Sequence, residues 1–239
     1  MIYRSLADIN IYDSPKLDRL ATQMAKGRYL QVNPQIVLEG EAISTNFEKV
    51  QLKVQLLEDG YEGLLDRQDL DKLELSDRQT YDANFPPALI NQITSQEISD
   101  RLPDVIKYIH EAMATPNEYL WGGTVAPNYD CSGLMQAAFA SVGIWIPRDA
   151  YQQEAFADPI ALGDLQIGDL LFFGTPIKAT HVGIYIGNNE YIHSSGKEHG
   201  HNGIAVSVIN AIAESDRVSQ WYAKELRGAS RITKCLRKI

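Results

Sequence analysis

The chain has 239 residues, 44% hydrophobic and 22% charged, which is ordinary for a globular protein with enough apolar material for a full core. Lys and Arg total 22 against 31 Asp and Glu, a net charge of -9, so no long-range attraction draws the chain to nucleic acid or to an anionic membrane surface. Two cysteines, Cys131 and Cys235, a start without an apolar signal region ("MIYRSLADINIYDSPKLDRL") and no run near the ~18 apolar residues of a membrane span lead to the expectation of a cytoplasmic protein.

Residues 1–85 read as short strands joined by turns. "RYLQVNPQIVLEG" has no helical period, and "VQLKVQLLEDG" alternates at Val50, Leu52 and Val54 before turning at Asp59-Gly60. This pattern predicts a small β-barrel or sandwich. Texture changes in "DANFPPALINQITSQEISD", where Pro86-Pro87 blocks regular structure, so 86–102 is taken as a linker and 103–239 as a second domain. Ile98, Leu102, Ile106, Ile109 and Met113 recur at helical intervals. Pro103 belongs in a helix's first turn, which puts the start near Ser99 or Asp100 with Ile98 just outside. Later, "GDLLFFG", "THVGIYIG", "EYIHSSG" and "GIAVSVI" read as strands, with Asn188-Asn189 as a hairpin turn. Helix first and antiparallel sheet second make this domain α+β.

The chemistry concentrates in "NYDCSGLMQAAF", 128–139. Leu134, Ala137, Ala138 and Phe139 follow Cys131 at helical spacing, and Asp130 is a good N-cap, so Cys131 falls in a first turn. Unpaired N–H groups and the positive end of the helix dipole lie there, and both favour thiolate over thiol. Gly133 leaves room for a substrate backbone, and nearby N–H groups suit an oxyanion. Among the histidines, His181 opens a predicted strand on the face opposite Val182 and Ile184, and suits a base. A two-residue turn at Asn188-Asn189 pairs His193 with Ile184, roughly 10 Å along the strand from His181 and on the other face, so contact needs a bend or bulge. His199 and His201, in "KEHGHNG", read as exposed loop, His110 as structural or solvated, and Cys235 as passive. With no HExxH and no paired CxxC, no metal or cofactor is expected.

The ordered blocks "YLWGGTVAPNYDCSGLMQAAF … IPRDA … IGDLLFFG … HVGIYIGNNEYIHSSG", from about 103 to 232, resemble the NlpC-type cell-wall peptidases, papain-like cysteine endopeptidases. The resemblance implies Cys131 as nucleophile, His181 as general base and later acid, and His193 as the third, orienting residue. "INIYDSPKLDRLATQMAKGRYLQV" and "GYEGLLDRQDL" more loosely resemble a bacterial SH3 domain. Together the two imply an enzyme of wall recycling that cuts the γ-D-glutamyl–diaminopimelate bond of L-Ala-γ-D-Glu-diaminopimelate and requires a free amine on the L-Ala. Asp130, Ser132, Tyr119 and Glu62 are expected at that amine, Arg148 at a substrate carboxylate, and Trp121 along the cleft, with Trp221 in the core. An amidase or acyltransferase on the same fold, or a non-catalytic wall-peptide binder, is the alternative.

Overall fold

The computed structural model describes residues 1–37, 51–85, 93–212 and 215–236. Contacts gather them into two compact units, the first holding the described residues up to 85 and the second those from 93 to 236.

The first unit is an antiparallel sheet of β1 (Ile2–Ser5), β2 (Ile9–Tyr12), β3 (Leu20–Met24), β4 (Tyr29–Val37), β5 (Gln51–Leu56), β6 (Glu62–Leu65) and β7 (Leu73–Ser76). Their order is β3-β2-β6-β5-β4-β1-β7, so the expected barrel is a barrel-like sheet that does not close. Alternation sets its core: Ile9, Ile11, Val54 and Leu56 point inward with Met24, Leu30 and Leu65, while Asn10 faces solvent. One short helix, α1 (Arg78–Asn84), was not anticipated. Asp77 caps it by accepting from the Thr80 N–H at 2.7 Å, and its Tyr81 packs against Tyr29 and Phe85. Val50 and the Pro86-Pro87 pair lie outside the described residues.

The second unit opens with α2 (Ser95–Ala114). This corrects the expected start near Ser99. Thr94 and Glu97 form a capping box, with Glu97 N–H donating to Thr94 Oγ1 at 3.2 Å and Thr94 N–H to Glu97 Oε2 at 2.8 Å. Pro103 therefore sits mid-helix, at a cost of about 3 kcal/mol. The cap and the full burial of Ile98, Val105 and Ile109 offset it. Ile98 is inside the helix, not before it.

After α2 come a small hairpin of β8 (Thr124–Val125) and β9 (Asn128–Tyr129), then α3 (Cys131–Ser141) and α4 (Ala150–Phe156). The main sheet contains β10 (Asp158–Ile160), β11 (Leu170–Gly174), β12 (Ala179–Gly187), β13 (Glu190–Ser195), β14 (Gly203–Val208) and β15 (Leu226–Arg231), with α5 (Arg217–Glu225) between the last two strands. Its order is β10-β15-β11-β12-β13-β14, antiparallel throughout. The two faces follow from period-2 alternation. Leu170, Phe172, Val182, Ile184 and Ile192 pack with α2 and α3, whereas Leu171, Phe173 and Tyr191 pack with Val218 and Tyr222 of α5. An α+β unit of this kind matches the expected class. Among the described residues no helix is long and apolar enough to cross a membrane.

Candidate active site

Local sequence places the thiol. Asp130 is extended, its Oδ1 accepts from the Gly133 N–H at 2.7 Å, and α3 begins at Cys131 as anticipated. The Val182 N–H points at the Cys131 sulfur, which seats the thiol beside the strand residue that follows His181.

The strand register answers the geometric difficulty posed by the hairpin. Asn188 and Asn189 both adopt positive φ, 54° and 63°, and Gly187 pairs with Glu190, so the turn is the two-residue type expected. A bulge between Tyr185 and Gly187 then shifts the ladder, pairing Ile184 with Ile192. One residue further along, His193 faces Gly183 rather than Ile184. It therefore shares a face with His181, on the diagonal that ring side chains can span. His181 Nε2 lies 2.7 Å from His193 Nδ1, with the rings edge to face at 4.9 Å. Gly183 makes this possible: a Cβ there would stand 2.7 Å from the Tyr191 ring and 3.2 Å from His193 Cβ. His193 Nε2 lies 3.0 Å from Ser207 Oγ on β14.

Tyr222, for which the sequence carries no signal beyond an aromatic on an amphipathic helix, covers His181. Its ring stacks on His181 at 4.1 Å and 19°, and its hydroxyl is 3.4 Å from His181 Nδ1 and 3.1 Å from Ser195 Oγ. A cleft of about 290 Å³ opens beside His181, lined among others by Tyr119, Trp121, His199, Trp221 and Tyr222. Trp121, 65% exposed, is one of the lining residues. Trp221 does not join the core: it is 48% exposed and stacks with His199 at 5.1 Å. His199 is accordingly a cleft residue and not an exposed loop histidine.

Burial governs the electrostatics and overturns the expected resting thiolate. It pushes the Cys131 thiol up to about 12, and the Asp130 carboxylate adds to the rise. The Val182 and Ser132 N–H groups and Arg148 act the other way without prevailing. Burial also holds His181 well below the ordinary imidazole range and His193 down to about 3. At neutral pH the free site thus contains a neutral thiol and neutral imidazoles. The helix start still surrounds sulfur with N–H donors, but desolvation of a charged sulfur is the larger effect.

Several expected substrate contacts are committed within the protein. Arg148 is fully buried and grips Asp130 at both ends, with NH1 to Oδ1 at 3.1 Å and NH2 to Oδ2 at 2.6 Å, and NH1 also donates to Ser132 Oγ at 3.0 Å. Asp130 further accepts from the Gly122 and Gly133 N–H groups. Its lone pairs are occupied, so it is not the ammonium acceptor, and Arg148 is not the carboxylate receptor. Ser132 is enclosed with them. Gly133 is filled as well: a Cβ there would stand 2.0 Å from the Gly123 carbonyl oxygen, so this glycine admits the protein's own loop, not a substrate backbone. Glu62 lies on β6 of the first unit, exposed and paired with Lys53 at 2.9 Å. Cys235 is buried and its sulfur accepts from the Trp145 N–H.

With this geometry in view, the comparisons with known proteins bear directly on the second unit: residues 116–224 match the NlpC/P60 family. The match falls within the second unit and spans just under half of the chain. Over 93 residues it is 36% identical to the murein DD-endopeptidase MepS/murein LD-carboxypeptidase of Escherichia coli (strain K12), covering 38% of this chain and 47% of that protein. Over 76 residues it is 46% identical to a probable endopeptidase of Corynebacterium glutamicum, covering 32% of this chain and 35% of that one. The chain thus spans less than half the length of these curated relatives. The crystal structure of an NlpC/P60 family protein from Bacillus cereus is similar at a TM-score of 0.47 and 23% identity, over 96% of this chain and 62% of that one. The matched segment includes Cys131, His181, His193 and Tyr222.

Proposed function

We propose that the chain is a cysteine endopeptidase acting on peptidoglycan-derived peptides. The observation that carries this is the buried pair of imidazoles in contact through His181 Nε2 and His193 Nδ1, with His181 lining a cleft and the helix-start thiol of Cys131 seated against Val182, the next residue of the same strand. As the sulfur attacks the peptide carbonyl carbon, the thiol proton passes to His181 Nδ1, and charge forms on the carbonyl oxygen instead of resting on sulfur. The protonated ring then gives its proton to the leaving amine, and a thioester remains on Cys131. Water, deprotonated by the same nitrogen, attacks the thioester, releases the acid and restores the thiol.

The finer reading is hydrolysis of the γ-D-glutamyl–diaminopimelate bond in L-Ala-γ-D-Glu-diaminopimelate, in the turnover of released wall peptides. Resemblance of the motif blocks supports it, as does a cleft whose acidic side chains, Glu198 and Glu225, stand among Trp221 and Tyr222 and suit a peptide bearing an ammonium. The test is mass spectrometry of products from the free tripeptide, its N-acetylated form and intact wall. Release of diaminopimelate from the free tripeptide alone, abolished by Cys131→Ala, is the expected result. Full turnover by that variant removes the nucleophile assignment, and equal rates on the acetylated peptide remove the amine requirement.

A further inference from the structure

Proton transfer from Cys131 leaves a positive charge on His181, and little around that ring offsets it. Its partner is His193, whose other contact is Ser207 Oγ, so among the described residues no carboxylate ends this chain of rings. The Asp130 carboxylate is taken by Arg148, and Glu198 pairs with His199 at 3.6 Å. His181 is 6% exposed, which leaves little room for water to solvate a charge. What does lie flat against it is the Tyr222 ring, stacked at 4.1 Å and 19°. An aromatic face carries the negative side of the ring quadrupole.

We propose that Tyr222 is a positioning residue whose ring face holds the His181 ring in plane and stabilises the imidazolium that forms as Cys131 reacts. Local sequence prepares the contact. Asp216 caps α5 by accepting from the Ser219 N–H at 2.9 Å, and Val218 and Tyr222, four residues apart, are both buried on one side of the helix. Tyr222 is 3% exposed, with Phe173 edge to face at 5.4 Å, His193 perpendicular at 5.0 Å and Ser195 Oγ 3.1 Å from its hydroxyl. The ring is therefore fixed before any charge develops, so stabilising that charge needs no reorganisation. A cation on an aromatic face gains most where both are removed from water, as here. The face is the acting part: Tyr222 Oη stands 3.4 Å from His181 Nδ1, at the outer limit of a hydrogen bond, whereas the stack is close and nearly parallel. Its effect is the same whichever way the surrounding hydroxyl protons point.

The proposal rests on the thiol–imidazole reading of Cys131 and His181, but its readout needs no turnover. Iodoacetamide labelling of Cys131 at neutral pH forms the S–C bond, expels iodide and passes the thiol proton to His181, so its rate reports how well the imidazolium is stabilised. In the full chain, Tyr222→Phe keeps the face and should label within about threefold of wild type. Replacing that phenylalanine by its trifluoro and then its pentafluoro analogue keeps the ring in place while draining charge from its face. Labelling should fall stepwise, by about tenfold across the series, the size of a cation–π contact removed from water. Should the fluorinated rings not be accommodated, Tyr222→Leu carries the same expectation: a rate kept by phenylalanine and lost about tenfold with leucine. A flat fluorine series, or equal rates with phenylalanine and leucine, overturns the proposal, being the pattern of a residue that only fills space. So does a Tyr222→Phe variant as slow as Tyr222→Leu, which would assign the effect to the hydroxyl. Labelling unchanged by His181→Ala removes the thiol–imidazole reading and this proposal with it. The fluorine trend in a protein that cleaves no wall peptide upholds the Tyr222 assignment while refuting the endopeptidase reading.

Discussion

Acid should loosen the second unit well before carboxylates titrate, and His193 should account for a measurable share. Its folded-state pKa is depressed to about 3 by burial, against 6.5 for an exposed imidazole. The folded form therefore binds fewer protons than the unfolded chain below 6.5, and the stability present above that pH is lost as pH falls toward 3. At pH 5 the difference is 1.5 units below the unfolded value, or about 2 kcal/mol at 1.36 kcal/mol per unit. With a urea slope of about 1–3 kcal/mol per molar, the midpoint should fall by about 1 M between pH 7 and pH 5. His181, also depressed, adds in the same direction. The assay is urea unfolding followed by tryptophan fluorescence, which reports the second unit because Trp121, Trp145 and Trp221 all lie in it. In His193→Gln the pH-dependent loss should shrink by about 2 kcal/mol, whatever the variant's stability at pH 7. Equal midpoint shifts in the two proteins would refute a buried, neutral His193.

Arg148→Met should strand the Asp130 carboxylate in a buried site and cost about 3–5 kcal/mol. A thermal scan should then show a fall of about 10 °C, and a loss under 2 °C or so would mean the pair is not holding the helix start. Gly183→Ala should drive His193 away from His181, because the added methyl would stand 2.7 Å from the Tyr191 ring and 3.2 Å from His193 Cβ. Cys131 alkylation should slow at least tenfold for an overpacking cost of about 1–3 kcal/mol in stability, and unimpaired labelling would contradict the crowding.

Much of the site was readable along the chain because it is local. Asp130 followed by apolar residues at helical spacing is a helix start wherever it occurs, so Cys131 fell in place. Alternation in "THVGIYIG" put His181 opposite Val182, and the Asn188-Asn189 turn formed as its residues require. The same local reasoning misjudged α2, where burial of Ile98, Val105 and Ile109 and a capping box outweighed one interior proline.

What the sequence by itself determined is the set of short-range choices: caps, turns, strand alternation, and which residue types could do chemistry. Tertiary structure alone decided the rest. A bulge at Ile186 moved His193 onto the face of His181, a shift invisible to pairing counted from the turn. Residues far apart in the chain, Arg148 and Asp130, Gly133 and Gly123, Ser207 and His193, met only in the folded unit and consumed or oriented groups that looked free. Burial kept the Cys131 proton in place, against the helix start's preference. Caps and periodicity are energies between near neighbours, whereas register and desolvation depend on everything packed around a group.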